Sequence, residues 1–347
     1  MILTLFRTIK SIAFVAILSP VVTSHAETMT TVSFHGQIIE EYDISAVAYS
    51  KGLLLLGSDE ATGKKSNENY IQLLKHEGKQ DYSLLSNILI YRGSKSLGRE
   101  LDIEGIATEG ESLYVIGSHS LARKRLKKKF SYEKNLARLG QIKHEPSRSS
   151  LYRLSLNASF QVIRREHIQL SSILNNDPVL SHFTGIPGKE NGIDIEGIAV
   201  KDRQLYIGFR GPVLRGGYVP VLQLPFDKPE QNYQRLHLKL EGRGIRDITA
   251  VSDGFLVLAG PVGDEALSYR LLHWNGKDCI PGKERSDAGK LKLLTEITPP
   301  VGGKAEGVSV ISETTTKYNL IVVFDGVKKG APRHYTIAKA RLGSGLQ

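Results

Sequence analysis

The chain has 347 residues, 40% of them hydrophobic and 24% charged, with a net charge of +10. Its single cysteine, Cys279, excludes an internal disulfide and any cysteine-rich zinc site, so stability must come from packing. The positive excess is moderate and concentrated in one segment, which excludes a global affinity for polyanions and points to a local basic patch.

Residues 1–26 read as a secretory signal peptide. Arg7 and Lys10 stand without an acid, Ser11–Val22 is apolar, and Ser24-His25-Ala26 offers small residues before Glu27. Twelve apolar residues interrupted by Pro20 fall short of the ~20 needed to span a bilayer. No later segment is long and apolar enough either. Residues 27–347 are therefore expected to form a single exported domain, periplasmic or secreted, monomeric and without a transmembrane segment. Loss of Arg7 and Lys10 leaves it at +8.

One phrase recurs along that domain. Leu101-Asp102-Ile103-Glu104-Gly105-Ile106-Ala107 returns as Ile193-Asp194-Ile195-Glu196-Gly197-Ile198-Ala199, each followed by an apolar run ending in Gly. Weaker copies begin at Asp43, Asp247 and Lys304, giving spacings of 59, 92, 53 and 57 residues. Such a period marks one supersecondary unit used five times. Four strands are readable in the first unit (Ile44–Tyr49, Leu53–Ser58, Tyr70–Lys75, Leu84–Tyr91). Four more are readable in the third (Ile195–Val200, Leu205–Phe209, Val219–Leu224, Tyr233–Leu240), separated by turn residues. Four short strands per repeat predict an all-β chain folded as a β-propeller of five blades. The last unit supplies only Ala305–Ile311, Tyr318–Phe324 and His334–Leu342, so Thr30–Ile39 is expected to complete it and close the ring. A six-bladed ring, with a blade hidden in the long second repeat, is the alternative.

The excess length of that repeat is assigned to an insertion at 121–150. Its core, Leu121–Phe130, holds six cations in ten residues and reads as helical or mobile. Two readings are open: a solvated loop of mutually repelling charges, or a cationic flap that attracts anionic substrates or envelope surfaces. Nucleic acid is not expected as a physiological partner of an exported protein.

Antiparallel pairing puts the start of each first strand and the end of each second strand at one mouth of the ring. Asp43, Asp102, Glu104, Asp194, Glu196, Asp247 and Glu306 gather there, with Asp59, His119, Arg210 and Asp325 from the second strands. Asp102 and Asp194 read equally well as loop caps or as functional groups. Glu104, Glu196 and Glu306 lean to function, because ionised Glu is almost never buried without a partner. That partner is either a divalent cation, Ca²⁺ or Mg²⁺, or the arginines of the same mouth. Ser45 and Thr249 take the glutamate's place in the first and fourth units. Arg210, Arg215, Arg243 and Arg246, each beside glycine, are candidates for binding an anion. His119 is the one histidine placed at the mouth, as a general base or an incidental loop residue. No Gly-x-Ser-x-Gly elbow, His-Glu-x-x-His pair, phosphate-binding loop or dinucleotide fingerprint is present.

The phrases Asp-Ile-Glu-Gly-Ile-Ala, Gly-Phe-Arg-Gly-Pro-Val-Leu-Arg-Gly, Gly-Arg-Gly-Ile-Arg-Asp and Leu-Ala-Gly-Pro resemble an exported bacterial family, domain of unknown function 3616, over nearly all of residues 27–347. That family is similar to the "esterase-like activity of phytase" propellers, with their recurring Glu-Gly-Ile/Val phrases. The resemblance implies a β-propeller and, more weakly, a hydrolase; a shared fold does not itself supply a reaction. The functional expectation is a metal-assisted hydrolase of a small anionic ester or phosphoester at the channel mouth. Glu104, Glu196 and Glu306 would hold the cation, with Asp102 and Asp194 beside them, and Arg210 and Arg246 would hold the anion. The alternative is a non-enzymatic propeller that binds a ligand, glycan or protein.

Overall fold

Strand alternation and turn chemistry produce five four-stranded antiparallel sheets, seen in a computed structural model that describes residues 28–62, 67–263 and 265–339. The expected signal peptide at 1–26 lies outside the described residues. Blade one is built from Ile44–Ser50, Leu53–Ser58, Glu68–Gly78 and Asp81–Arg92. Blade two uses Ile103–Glu109, Ser112–Gly117, Leu151–Leu156 and Val162–Ile168. Blade three uses Asp194–Lys201, Gln204–Gly211, Tyr218–Leu224 and Gln234–Lys239, and blade four Gly244–Val251, Gly254–Gly260, Tyr269–Trp274 and Leu291–Ile297. Lys304–Glu313, Lys317–Asp325, Arg333–Ala338 and Thr28–Thr31 make blade five. The five first strands touch one another in sequence around the axis, and the fifth returns to the first. The fold is a five-bladed β-propeller, and the six-bladed alternative falls.

Second strands have apolar centres because they are covered on both faces. Every residue of Leu53–Ser58 and of Gly254–Gly260 is buried. Glycine in the inner strands has a different cause. A Cβ on Gly197 would sit 2.9 Å from the Asp247 Cα and the Ile248 N of the next blade, and backbone cannot yield as a side-chain tip can. Gly105 and Gly307 are crowded in the same way by the Ile198 N and the Val47 N of the next blade, 3.0 and 3.1 Å from where a Cβ would sit.

Closure follows the expectation with shifted bounds. Thr28–Thr31 pairs antiparallel with the strand Arg333–Ala338, from Thr28 opposite Thr336 to Thr31 opposite Arg333. The chain then leaves blade five, and Ser33–His35 runs parallel to the outer strand of blade one. Buried Val32 and Phe34 point inward, Phe34 meeting Tyr82 edge-on at 6.3 Å. The N-terminal segment thus staples the last blade to the first instead of serving only the last.

The second repeat is long for two reasons, of which the sequence shows one. The insertion does follow the second strand of blade two. Its cationic core is not helical: Ala122–Arg123 pairs with Ile142–Lys143, and the helix, Tyr132–Leu139, comes later. Ser131 caps that helix by accepting the Lys134 N–H at 3.3 Å, and Glu133 lies in its first turn. The second addition is a connection between Ile168 and Asp194 that contains the short helix Ser171–Asn176. Buried Asp177 organises it, with Oδ1 accepting from Val179 N and Leu180 N, each at 2.9 Å, while Arg235 pairs with the same carboxylate.

Candidate functional site

Every first strand has a bulge at the same level of the ring. Register is lost between Ile44 and Ala46, Ile103 and Gly105, Ile195 and Gly197, Ile245 and Asp247, and Ala305 and Gly307. The unpaired residues are therefore Ser45, Glu104, Glu196, Arg246 and Glu306. A bulge re-aims the side chain of its extra residue, and here it places one chemical group per blade at the mouth. This corrects the phase expected for the fourth unit. Arg246, not Thr249, is equivalent to the glutamates, and Asp247 stands where the other units have Gly or Ala. Asp247 is structural: its two oxygens accept Ile248 N and Val308 N, each at 2.7 Å.

The ring order decides who pairs with whom. Arg246 of blade four lies between Glu196 of blade three, 2.9 Å away, and Glu306 of blade five, which it also contacts. Arg210, at the end of the second strand of blade three, bonds both Asp194 and Glu196. Arg246, Glu196, Glu306 and Asp194 are all buried, so this is a closed ionic network. Burial holds the Glu196 carboxyl up at about 7 despite both arginines, and burial likewise raises Glu306 against the pull of Arg246.

Glu104, in blade two, makes no ion pair among the described residues. Its neighbours are Asp59, which follows the second strand of blade one, and Asp102. One oxygen from each of the three lies within 4.8 Å of the others. Asp102 is held by Ser118 Oγ and by Arg148 Nη1 at 2.9 Å, Arg148 also reaching Glu100 at 2.9 Å. Asp59 Oδ1 is buried with no partner. Burial and then Asp102 push the Asp59 carboxyl up to about 9; burial and then Glu196 lift Glu104 well above the usual range. Glu60, beside them, is raised to about 7 by burial and by Glu100. These groups need either protons or a cation, and oxygen-only donors suit a hard divalent ion.

A cavity of about 500 Å³ opens above this floor. Asp59, Asp102, Glu104, Glu196 and Glu306 line its base, and Arg123, Lys124, Arg125, Lys127 and Lys143 of the insertion line its wall. The other sequence candidates lie elsewhere. Arg215 is exposed and outside the cavity lining. Arg243 is buried against Ser268, donating from Nε to its carbonyl at 2.8 Å and from Nη2 to its hydroxyl at 3.1 Å. His119 is buried away from the cavity lining, with Nδ1 2.8 Å from Gly117 O and Nε2 unpartnered. Asp59 was placed at the mouth by its strand but not among the ligands; its closeness to Glu104 crosses from one blade to the next and leaves no mark in the phrase.

Burial depresses the His119 ring to about 4. Between about pH 6.5 and 4 the unfolded chain takes a proton there that the native protein refuses, so stability is lost as pH falls through that window. His119→Asn, which tolerates the left-handed backbone at this position (φ 54°), is expected to lose about 2 kcal/mol less than the parent between pH 7 and 4. Urea unfolding at the two pH values measures it, and equal losses would remove His119 as the cause.

Residues 43–336 match the model of a family described as "Protein of unknown function (DUF3616)". No curated protein matches the chain. Among solved structures it is similar to a hypothetical protein from Leishmania major (14% identity, 92% of this chain and 93% of that chain, TM-score 0.47). It is also similar to the major allergen Mala s 1 of Malassezia sympodialis (10%, 89% and 95%, 0.45). An exo-β-1,3-galactanase from Phanerochaete chrysosporium is a third such structure (8%, 90% and 63%, 0.46), of whose length the match spans 63%.

Proposed function

This chain belongs to that protein family of unknown function, and we propose that it is an exported, metal-assisted hydrolase of a small anionic ester or phosphoester. The carrying observation is the convergence of Asp59, Asp102 and Glu104 beneath a cationic wall, with no ion pair to Asp59 or Glu104 among the described residues. A divalent cation held by these three carboxylates would polarise the substrate and activate a water. Arg210 and Arg246 are committed to Asp194, Glu196 and Glu306, so the anion falls to the insertion: Arg125, Lys127 and Lys143 line the cavity and make no ion pair among the described residues. The Glu-Gly-Ile/Val likeness to the phytase-like propellers is a second support. Export rests on the character of residues 1–26; among the described residues no helix is long and apolar enough to cross a membrane.

One observation favours the non-enzymatic alternative. His119 does not line the cavity, and among the described residues no other histidine does. A panel of esters, lactones and phosphoesters, assayed with Ca²⁺, Mg²⁺ or Mn²⁺ and again with chelator, decides between them. The expected result is metal-dependent turnover lost in Glu104→Gln. Metal uptake with no turnover on any class would leave a ligand-binding propeller.

A further inference from the structure

The helix of the insertion is turned inside out. Its polar side faces its own loop: Asn135 Oδ1 accepts Lys127 N at 3.0 Å, Asn135 Nδ2 donates to Lys127 O at 3.0 Å, and Arg138 Nε donates to Arg125 O at 2.8 Å. Lys134 and Arg138 cover Phe130 at 4.1 and 5.3 Å from the ring centre. Tyr132, Leu136 and Leu139 recur at the spacing of a single helical face, within an arc of about 60°. They are 74%, 55% and 46% exposed, and no residue of the helix is buried. Leu126 and Ile142, on the segments entering and leaving it, are exposed as well. A folded chain seldom presents such a stripe to water unless something covers it.

Charge says what covers it. Residues 121–143 hold nine cations and one acid, Glu133. Lys128, Lys129 and Lys143 are exposed and none has an acidic partner among the described residues. We propose that the insertion docks this protein on an anionic lipid surface, with Tyr132, Leu136 and Leu139 at the boundary between headgroups and acyl chains and Lys128 and Lys129 against lipid phosphates. An apolar stripe flanked by unneutralised lysines is the composition of a helix lying in a bilayer interface. A bilayer satisfies both chemistries without a matched shape, whereas an acidic polypeptide answers only the charge. Eight residues cannot span; they lie on the surface. The same segment walls the cavity, so docking turns the carboxylate floor toward the membrane. The proposal does not depend on the hydrolase reading.

Flotation of the purified protein with vesicles tests it. Binding is expected to equal parts phosphatidylglycerol and phosphatidylcholine, and not to phosphatidylcholine alone. Leu136→Glu/Leu139→Glu and Lys128→Glu/Lys129→Glu should each lower binding by about tenfold or more, the second also flattening its salt dependence. Both should melt within about 1 °C of the parent, because they touch no buried group. Failure of the parent to float, or flotation of either double variant as strong as the parent's, overturns the proposal. Retention on polyglutamate without vesicle binding overturns it too, and makes an acidic polypeptide the occupant.

Discussion

Arg246→Met is expected to destabilise the protein by about 3–5 kcal/mol, a large share of the stability of an ordinary domain. Arg246 is 2% exposed and is the only cation touching Glu306 among the described residues; Glu196 keeps Arg210. Removing it leaves a buried carboxylate uncompensated, which costs more than the ion pair itself contributes. Arg246→Lys should fall between, since an ammonium cannot serve two carboxylates as a guanidinium fork does. Glu306→Gln placed on Arg246→Met should recover most of the loss, because the amide carries no charge to strand. The deficit should also shrink on acidification, as Glu306, already raised by burial, takes up a proton. Urea midpoints of the parent and the three variants at neutral and acid pH give each value. A single variant as stable as the parent would mean that the network is open to water.

That network shows where a repeat can and cannot be read. Blade number, strand order and the small residues of four of the five inner strands follow from packing, which repeats from unit to unit, so the phrase Asp-Ile-Glu-Gly-Ile-Ala carries them. The bulged position obeys another rule. Its backbone is constant but its side chain is free, and five blades use it for Ser45, Glu104, Glu196, Arg246 and Glu306. Matching by residue type therefore slid the fourth unit by three residues, onto Asp-Ile-Thr-Ala-Val, and hid Arg246 as the fifth member of the ring. The signal was present in Gly244-Ile245-Arg246, where the apolar residue before the bulge matches Ile103 and Ile195.

Contacts between blades were less legible still. Asp59 meets Glu104 only because the second strand of blade one ends beside the first strand of blade two. The insertion shows its charge in the sequence but not its direction. A stripe of Tyr132, Leu136 and Leu139 would ordinarily be assigned to a core, and only the Asn135 and Arg138 bonds to the loop reveal that it faces out.

Addition of Ca²⁺ at about a hundred times its dissociation constant is expected to stabilise the protein by about 2.7 kcal/mol, a rise of about 5 °C in melting temperature for a chain of this size. Oxygens lying within 4.8 Å of one another suit a single hard divalent ion, and Ca²⁺, with bonds of about 2.4 Å and flexible geometry, adapts to such a set more readily than Mg²⁺, which needs near-octahedral bonds of about 2.1 Å. The three ligands should then separate by variant. Asp59→Asn and Glu104→Gln remove an unpartnered carboxylate, so each should abolish the metal response while leaving the metal-free melting temperature equal or higher. Asp102→Asn should abolish the response and lower the metal-free value, because it strands Arg148 and Ser118. Glu306→Gln, whose partner is Arg246, should keep the response. Thermal melts with Ca²⁺, Mg²⁺ and chelator distinguish these patterns. If no divalent ion shifts the parent, or if Glu104→Gln responds as the parent does, the three carboxylates share protons instead of a metal, and the cavity must act on its ligand through the cationic wall alone.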